Sequence, residues 1–202
     1  MSGETHGLIC AYRLDGKGSG EALDWEAIQA FSNIEGVVWI HLDYKVPTAH
    51  EWLNKNSGLD EISVASLLAE ETRPRCTIVP DGLLLSLRGV NMNPGADPED
   101  MVAIRLWTDG QRIITTRRRR LLFIPDLKTA IDAGQGPCSV SEFIVDLSAR
   151  LIERMADVIE DIDDAVDALE DKVLTAESHL LRTEIAEIRR EAIGLRRYLA
   201  PQ

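Results

Sequence analysis

The 202-residue sequence has few cysteines: Cys10, Cys76 and Cys138 have the spacing of neither a disulfide framework nor a zinc knuckle. We therefore expect a reducing compartment. The sequence also lacks a run approaching the roughly 20 apolar residues that cross a bilayer. No basic N-terminal segment followed by an apolar one marks a signal peptide. These absences predict a chain that folds in the cytoplasm and does not itself span a membrane.

Catalytic motifs are missing as well. The sequence has no nucleophile elbow, P-loop, dinucleotide-binding glycine fingerprint or His-Glu-x-x-His motif, so we expect neither an enzyme nor a bound cofactor. Basic residues are in deficit, with 22 against 34 acidic ones and a formal charge of −12, which disfavours nucleic acid and favours cations as partners. The one basic run, Arg117–Arg120, alternates between two faces if extended. We interpret it as pairing with acidic helices or a neighbouring subunit.

Over the first 120 residues, short β-like runs alternate with short helical segments, a pattern typical of α/β layers. Pro80–Gly82 and Asp109-Gly110 each separate two β-like runs and predict hairpins. For residues 1–136 we predict an αβα sandwich with a mixed sheet. The predicted strands are 8–12, 37–42, 75–79, 83–90, 102–107 and 112–116, and the predicted helices are 24–31, 48–56, 60–69 and 121–133. The clearest helical apolar face is formed by Ile62, Ala65, Leu68 and Ala69.

The composition changes after Pro137. Ser139 and Glu142 form a capping-box pattern, and nothing stops the helix that they open before about Leu174. Thr175 has the residue type that caps a second helix. We therefore predict a long antiparallel helical hairpin for residues 139–202.

Two apolar seams with coiled-coil spacing run along this hairpin. The first consists of Leu151, Met155, Val158, Ile162, Ala165 and Leu169, and the second of Leu181, Ile185, Ile188, Ala192, Leu195 and Leu199. The first arm is strongly acidic and the second slightly basic. Predicted ion pairs between the arms join Arg182, Arg189, Arg190 and Arg196 to Asp157, Glu160, Asp161 and Asp164.

Six stretches along the chain carry motifs: residues 39–43, 71–75, 81–91, 93–100, 113–118 and 195–202. These stretches resemble the CorA-like divalent cation transporters, in the zinc-transporting ZntB branch. The resemblance implies a homopentamer whose N-terminal αβα domains form a funnel on the cytoplasmic side of the inner membrane. It also implies that membrane spans, and a pore entrance with a Gly-Met-Asn signature, follow after Gln202, so no pore residue is assigned here.

Asp157, Asp161 and Asp164 are the candidate metal-attracting residues. Their i, i+4, i+7 spacing places three carboxylates on one face of a helix, where they could collect a hydrated divalent ion. The alternative interpretation is a solvated acidic face beside the seam. A second pair, His41 and Asp43, shares one side of a strand, although a histidine hydrogen-bonded to a neighbouring carboxylate is commoner there than a zinc ligand.

The predicted function rests mainly on the resemblance. We expect the cytoplasmic domain of a zinc or other divalent cation transporter, serving as an acidic vestibule and as an assembly and gating element. The alternative is a soluble scaffold or sensor domain that binds a partner through its helical hairpin.

Overall fold

Seven β-strands form one mixed sheet in the computed structural model, which describes residues 6–30, 36–173 and 178–202. The strands are β1 Leu8–Leu14, β2 Gly20–Ala22, β3 Val37–Asp43, β4 Arg75–Val79, β5 Gly82–Gly89, β6 Val102–Thr108 and β7 Arg112–Arg117. The helices are α1 Trp25–Gln29, α2 Pro47–Lys55, α3 Glu61–Leu68, α4 Phe123–Asp132, α5 Val140–Val173 and α6 Ser178–Leu199. Both predicted hairpins, β4–β5 and β6–β7, are confirmed.

The strand order is β2-β1-β3-β7-β6-β5-β4, and the central pair β3–β7 is parallel while every other pair is antiparallel. The predicted mixed sheet is therefore confirmed. Strand β2 was not predicted, because its three residues, Gly-Glu-Ala, have no β-branched or aromatic side chain. It forms only because it pairs with the edge of β1.

Helices cover both faces of the sheet, which confirms the αβα sandwich. On one face, α1, α2 and α3 bury Ile28, Leu53 and Leu67 against the strands. On the other face, α4 buries Leu127, and the first turns of α5 bury Phe143. The sheet thus positions two helical layers, and the long helix α5 starts as part of one of them.

The predicted apolar face of α3 is partly wrong: Leu68 packs against the core, but two of the other predicted positions do not. Ile62 is 71% exposed and Ala65 is also exposed, whereas Ser63, Val64 and Leu67 face the sheet. The Asp60 carboxylate caps the helix by accepting the N–H groups of residues 62 and 63. This cap fixes the start of a short helix, and the helix then turns its Val64–Leu67 side to the core.

The predicted capping box at the start of α5 forms with one altered partner. The Glu142 N–H donates to Ser139 Oγ at 3.2 Å, and the Glu142 carboxylate accepts the N–H of Cys138 at 2.8 Å. The backbone group held by Glu142 is therefore one residue earlier than in the standard pattern. After Leu151, α5 leaves the sheet and packs against α6.

The two long helices run antiparallel, as predicted. Gln202 Nε2 lies 3.8 Å from Met155 Sδ, and Lys172 Nζ lies 2.8 Å from Glu184 Oε2, so the end of α6 meets the middle of α5. The predicted turn and its capping residue Thr175 lie outside the described residues.

The first predicted seam is confirmed, because its six side chains are buried or half-buried. The second is partly wrong, since Ile185 and Ala192 are exposed, and the covered positions of α6 include Glu184 and Glu191. The physical reason is that α6 packs against two neighbours. Its Leu195 contacts both Met155 of α5 and Met101 beside β6, which rotates the helix away from a two-helix seam.

Candidate cation-attracting surface

The three predicted aspartates, Asp157, Asp161 and Asp164, lie exposed on α5 beyond the end of the sheet. The opposite side of this part of the helix buries Met155 and Val158. The apolar packing therefore fixes which way the carboxylates face. The negative charge of Asp161 acts on an acidic group of another element, Glu191 of α6.

Glu191 of α6 is the centre of that acidic group. Its pKa is raised above the ordinary value for a glutamate, first by partial burial and then by the negative charges of Glu99, Asp161 and Asp97, while Arg190 lowers it. Asp157 and Asp164 do not take part in this shift. Negative charge from α5, α6 and the β5–β6 loop is thus concentrated at one place.

The β5–β6 loop is held tightly against α6. Arg190 Nε lies 3.2 Å from Glu99 Oε1, and a Cβ added to Gly194 would lie only 3.1 Å from Glu99 Cβ. Glycine at 194 therefore allows this close approach. Arg190 contacts the loop and not the α5 carboxylates, and among the described residues none of the four predicted arginines pairs with Asp157, Glu160, Asp161 or Asp164.

The carboxylates of this surface suit electrostatic attraction of hydrated cations better than direct coordination of a metal ion. Across residues 6–30, 36–173 and 178–202, no group of three or more His, Cys, Asp or Glu side chains is arranged to hold a metal ion directly. A dehydrated calcium-like site needs about six to eight oxygens at once, whereas a hydrated ion needs only a local negative potential. The arrangement can therefore raise the local concentration of hydrated cations.

We shall refer to Asp97, Glu99, Asp161 and Glu191 as the acidic patch. Glu99 and Glu191 were not predicted, because no local spacing reveals that a loop 92 residues before Glu191 will lie on α6. Only the predicted position of Asp161 on an acidic helix face indicated this part of the surface.

His41 does not form the predicted pair with Asp43. His41 is fully buried, and its Nδ1 lies 2.8 Å from Thr115 Oγ1, which also accepts a hydrogen bond from Trp39 Nε1 at 2.8 Å. Asp43 instead accepts the N–H of Lys45. Burial, helped by the positive charge of Arg117, lowers the pKa of His41 to about 3, so the ring is neutral at physiological pH.

Two arginines of the basic run pair with acids that lie outside the acidic helices. Arg118 Nη1 lies 3.0 Å from Glu70 Oε2, just after α3, and Arg119 pairs with Asp100, just before β6. These two ion pairs engage two of the guanidinium groups that would otherwise be available to the phosphates of a nucleic acid.

A comparison with protein-family models decides the family. Residues 35–202 match the model described as CorA-like Mg2+ transporter protein. The chain belongs to the CorA family. None of its described helices has the length and apolar composition needed to cross a membrane.

Similar proteins in the CorA family are transporters, not enzymes. The chain is 41% identical to the divalent cation transporter CmaX of Pseudomonas aeruginosa over 76% of its own length and 47% of the relative's. It is 35% identical to the zinc transport protein ZntB of Pectobacterium atrosepticum over 73% of its length and 44% of that protein. The chain therefore spans about half the length of these relatives.

Solved structures in the family share the fold. The structure of full-length CmaX superposes with a TM-score of 0.87 at 41% identity, covering 100% of this chain and 63% of CmaX. The cytoplasmic domain of ZntB from Vibrio parahaemolyticus gives a TM-score of 0.79 at 25% identity, covering 96% of this chain and 75% of that one. The mixed sheet followed by a long helix is thus the fold of a CorA-family cytoplasmic domain.

Proposed function

We propose that this chain is the cytoplasmic domain of a divalent cation transporter and that its acidic hairpin concentrates hydrated cations near the inner mouth of the pore. The observation that carries the proposal is the acidic patch, to which three separate elements of a CorA-family chain contribute carboxylates. Partial burial, and after it the charges of Glu99, Asp161 and Asp97, raise the pKa of Glu191 there. The formal charge of −12 supports the same role. Screening over about 8 Å at physiological salt confines the attraction to the surface of the domain.

The assembly we propose is a homopentamer on the cytoplasmic side of the inner membrane. Residues 1–136 form the wall of a funnel, and residues 139–202 form a helical hairpin that leads toward membrane spans after Gln202. Support comes from the family and from α5, which is packed into the sheet at Phe143 and extends well beyond it. A helix anchored in this way can transmit a displacement of the funnel to the pore, which is the gating role.

Zinc is the proposed cargo, because several relatives are named zinc transport proteins and the resemblance of the motif stretches is to that branch. CmaX, at higher identity, is named only as a divalent cation transporter. The test is ion flux through the full-length protein in proteoliposomes, with zinc, magnesium and cobalt offered separately. Zinc flux above the other two supports the proposal, and flux of magnesium alone contradicts it.

A further inference from the structure

Three adjacent strands bring arginines to one end of the sheet, on the face that α3 covers. Arg88 lies near the end of β5 opposite Ala103, Arg105 lies in β6, and Arg118 follows the last residue of β7. The three side chains are close enough that Arg88 and Arg118 both lower the pKa of Arg105, after burial, which is the largest cause. Such a concentration of positive charge is unexpected in an acidic chain.

Arg105 is the most unusual member of this group. It is only 2% exposed, and its Nη2 donates to the carbonyl oxygen of Glu70 at 3.0 Å. Its guanidinium lies over the ring of Tyr44, 5.3 Å from the ring centre. Among the described residues, its Nε and Nη1 have no hydrogen-bond acceptor. Since buried charges are normally paired and buried donors are normally bonded, two unpaired donor nitrogens on one buried guanidinium indicate a missing acceptor.

Two buried hydroxyl groups beside these arginines also lack a hydrogen-bond partner among the described residues. Tyr44 Oη and Thr72 Oγ1 are buried without a hydrogen-bond partner in the described part of the chain. Tyr44 contacts Arg105, and the Thr72 carbonyl oxygen accepts the Nε–H of Arg88 at 2.9 Å. These two hydroxyl groups therefore lie beside the arginines, but of the unpaired groups only those of Arg105 belong to a residue that lines the neighbouring cavity in the described part of the chain.

The arginines line a cavity of about 200 Å³. Since a water molecule takes about 30 Å³ in the liquid, this cavity holds a small molecule and its nearest waters. Its charged lining consists of Arg88, Arg105, Arg118, Arg119, Glu70, Glu71 and Asp100. Glu70 and Asp100 pair with Arg118 and Arg119, and the charge of Glu71 acts on Arg88. Among the described residues, no ion pair joins Arg105 to a carboxylate.

We propose that this cavity binds a small oxyanion, a phosphate or a carboxylate group, with Arg105 as its principal ligand. A guanidinium donates in parallel along either of two edges, Nε with Nη2 or Nη1 with Nη2, and each edge matches two oxygens of one phosphate or carboxylate. Nη2 of Arg105 uses one of its two N–H groups on Glu70, so its other N–H can form such an edge with one of the two unpaired nitrogens. Arg88 and Arg118 supply further positive charge. Binding would give one of the two unpaired nitrogens of Arg105 an acceptor and would compensate the buried charge.

The end of α6 forms one wall of the site. The Tyr198 ring lies 4.6 Å from the Arg88 guanidinium, and Gln202 Oε1 accepts the backbone N–H of Arg88 at 2.8 Å. A bound oxyanion would hold Arg88 in place and thereby strengthen the docking of α6 on β5. Hydrogen exchange at the end of α6 therefore reports occupancy.

The test is calorimetric titration of the 202-residue chain with sodium phosphate, sodium acetate and sodium chloride at equal ionic strength, with hydrogen exchange on the same samples. We expect phosphate or acetate to bind more tightly than chloride and to protect the backbone amides of residues 70–72, 101–105 and 196–202. The oxyanion that binds with the higher affinity shows whether the natural ligand carries a phosphate or a carboxylate group. Binding no tighter than that of chloride, or protection elsewhere only, overturns the proposal.

Variants locate the site. Arg105→Lys keeps the charge but loses the paired donors and is expected to weaken oxyanion binding about tenfold or more, as for a charged hydrogen bond. Glu70→Gln removes a competing carboxylate at an exposed position and should tighten binding. Arg75→Lys, on the exposed strand β4, is the matched control and should leave the affinity unchanged. If Arg105→Lys does not fold, the Glu70→Gln result decides, and weaker or equal binding there contradicts the proposal.

Discussion

The ring of Phe143 lies 5.0 Å from the ring of Trp39 and is inclined to it by 59°. Both residues are fully buried, so the beginning of α5 is packed directly against the central strand β3. Tilted aromatic pairs of this kind stabilise beyond their buried area. The long helix is therefore anchored in the sheet at one end and free to contact α6 beyond it.

Phe143→Ala should destabilise the domain by about 3–5 kcal/mol, the usual cost of removing a buried phenylalanine and leaving a cavity. Urea unfolding followed by circular dichroism measures the loss. The control is Val145→Ala on the same helix, because Val145 is 67% exposed and its truncation should change the free energy of unfolding by no more than about 0.5 kcal/mol. Similar small losses for both variants would show that α5 is not a layer of the domain.

His41 should make the domain sensitive to acid. Its pKa falls from 6.5 to about 3 on folding, so the folded state favours the neutral ring, and stability is complete above pH 6.5 and lost as the pH falls toward 3. Between pH 7.5 and pH 5, protonation of this one group in the unfolded state should lower the free energy of unfolding by about 2 kcal/mol, as the two pKa values require.

The measurement is the free energy of unfolding against pH for the wild type and for His41→Leu. The variant lacks the titrating group, so between pH 7.5 and pH 5 its free energy of unfolding should fall by about 2 kcal/mol less than that of the wild type. His50→Leu, at an exposed histidine, is the control and should run parallel to the wild type. Parallel curves for His41→Leu and the wild type would mean that His41 is not buried as a neutral ring.

Glu191→Gln should stabilise the packing of α6 at neutral pH. Because the folded pKa of Glu191 is raised, its ionised form opposes folding, and the stability present at low pH is lost as the pH rises through that pKa. Removal of the charge at this partly buried position should gain up to about 0.5 kcal/mol. Slower hydrogen exchange of the α6 amides at pH 7 would measure this gain in stability. Faster exchange in the variant would contradict the assignment of the acidic patch.

The strands and helices of the α/β part could be predicted because local signals specify them. Pro80–Gly82 and Asp109-Gly110 are local turn signals, and Gly110 has a φ of +90° that few other residues adopt. The Asp109 carboxylate also accepts the N–H groups of residues 111 and 112. The strand β2 and the buried face of α3 could not be predicted, since pairing with β1 and packing on the sheet determine them.

The candidate site was predictable only where it lies on one helix. Helical spacing predicts the position of Asp161 on the exposed face of α5. Its neighbours Glu99 and Glu191 are placed near it by the packing of a loop and α6 on α5, which no local spacing predicts. The rotation of α6 has the same origin, since Leu195 contacts Met101 as well as Met155. A two-helix seam pattern contains no information about that third partner.

The salt dependence of zinc flux tests the central claim most directly. The full-length protein and its Asp157→Asn, Asp161→Asn, Asp164→Asn triple variant are compared in proteoliposomes from low salt to 1 M, where the screening length falls to about 3 Å. A matched control changes three exposed acids outside the hairpin: Glu26→Gln, Glu61→Gln and Asp81→Asn. The account predicts that the hairpin variant alone loses flux at low salt and that all three proteins converge at high salt. Equal flux at every salt concentration, or an equal loss in the control, would contradict it.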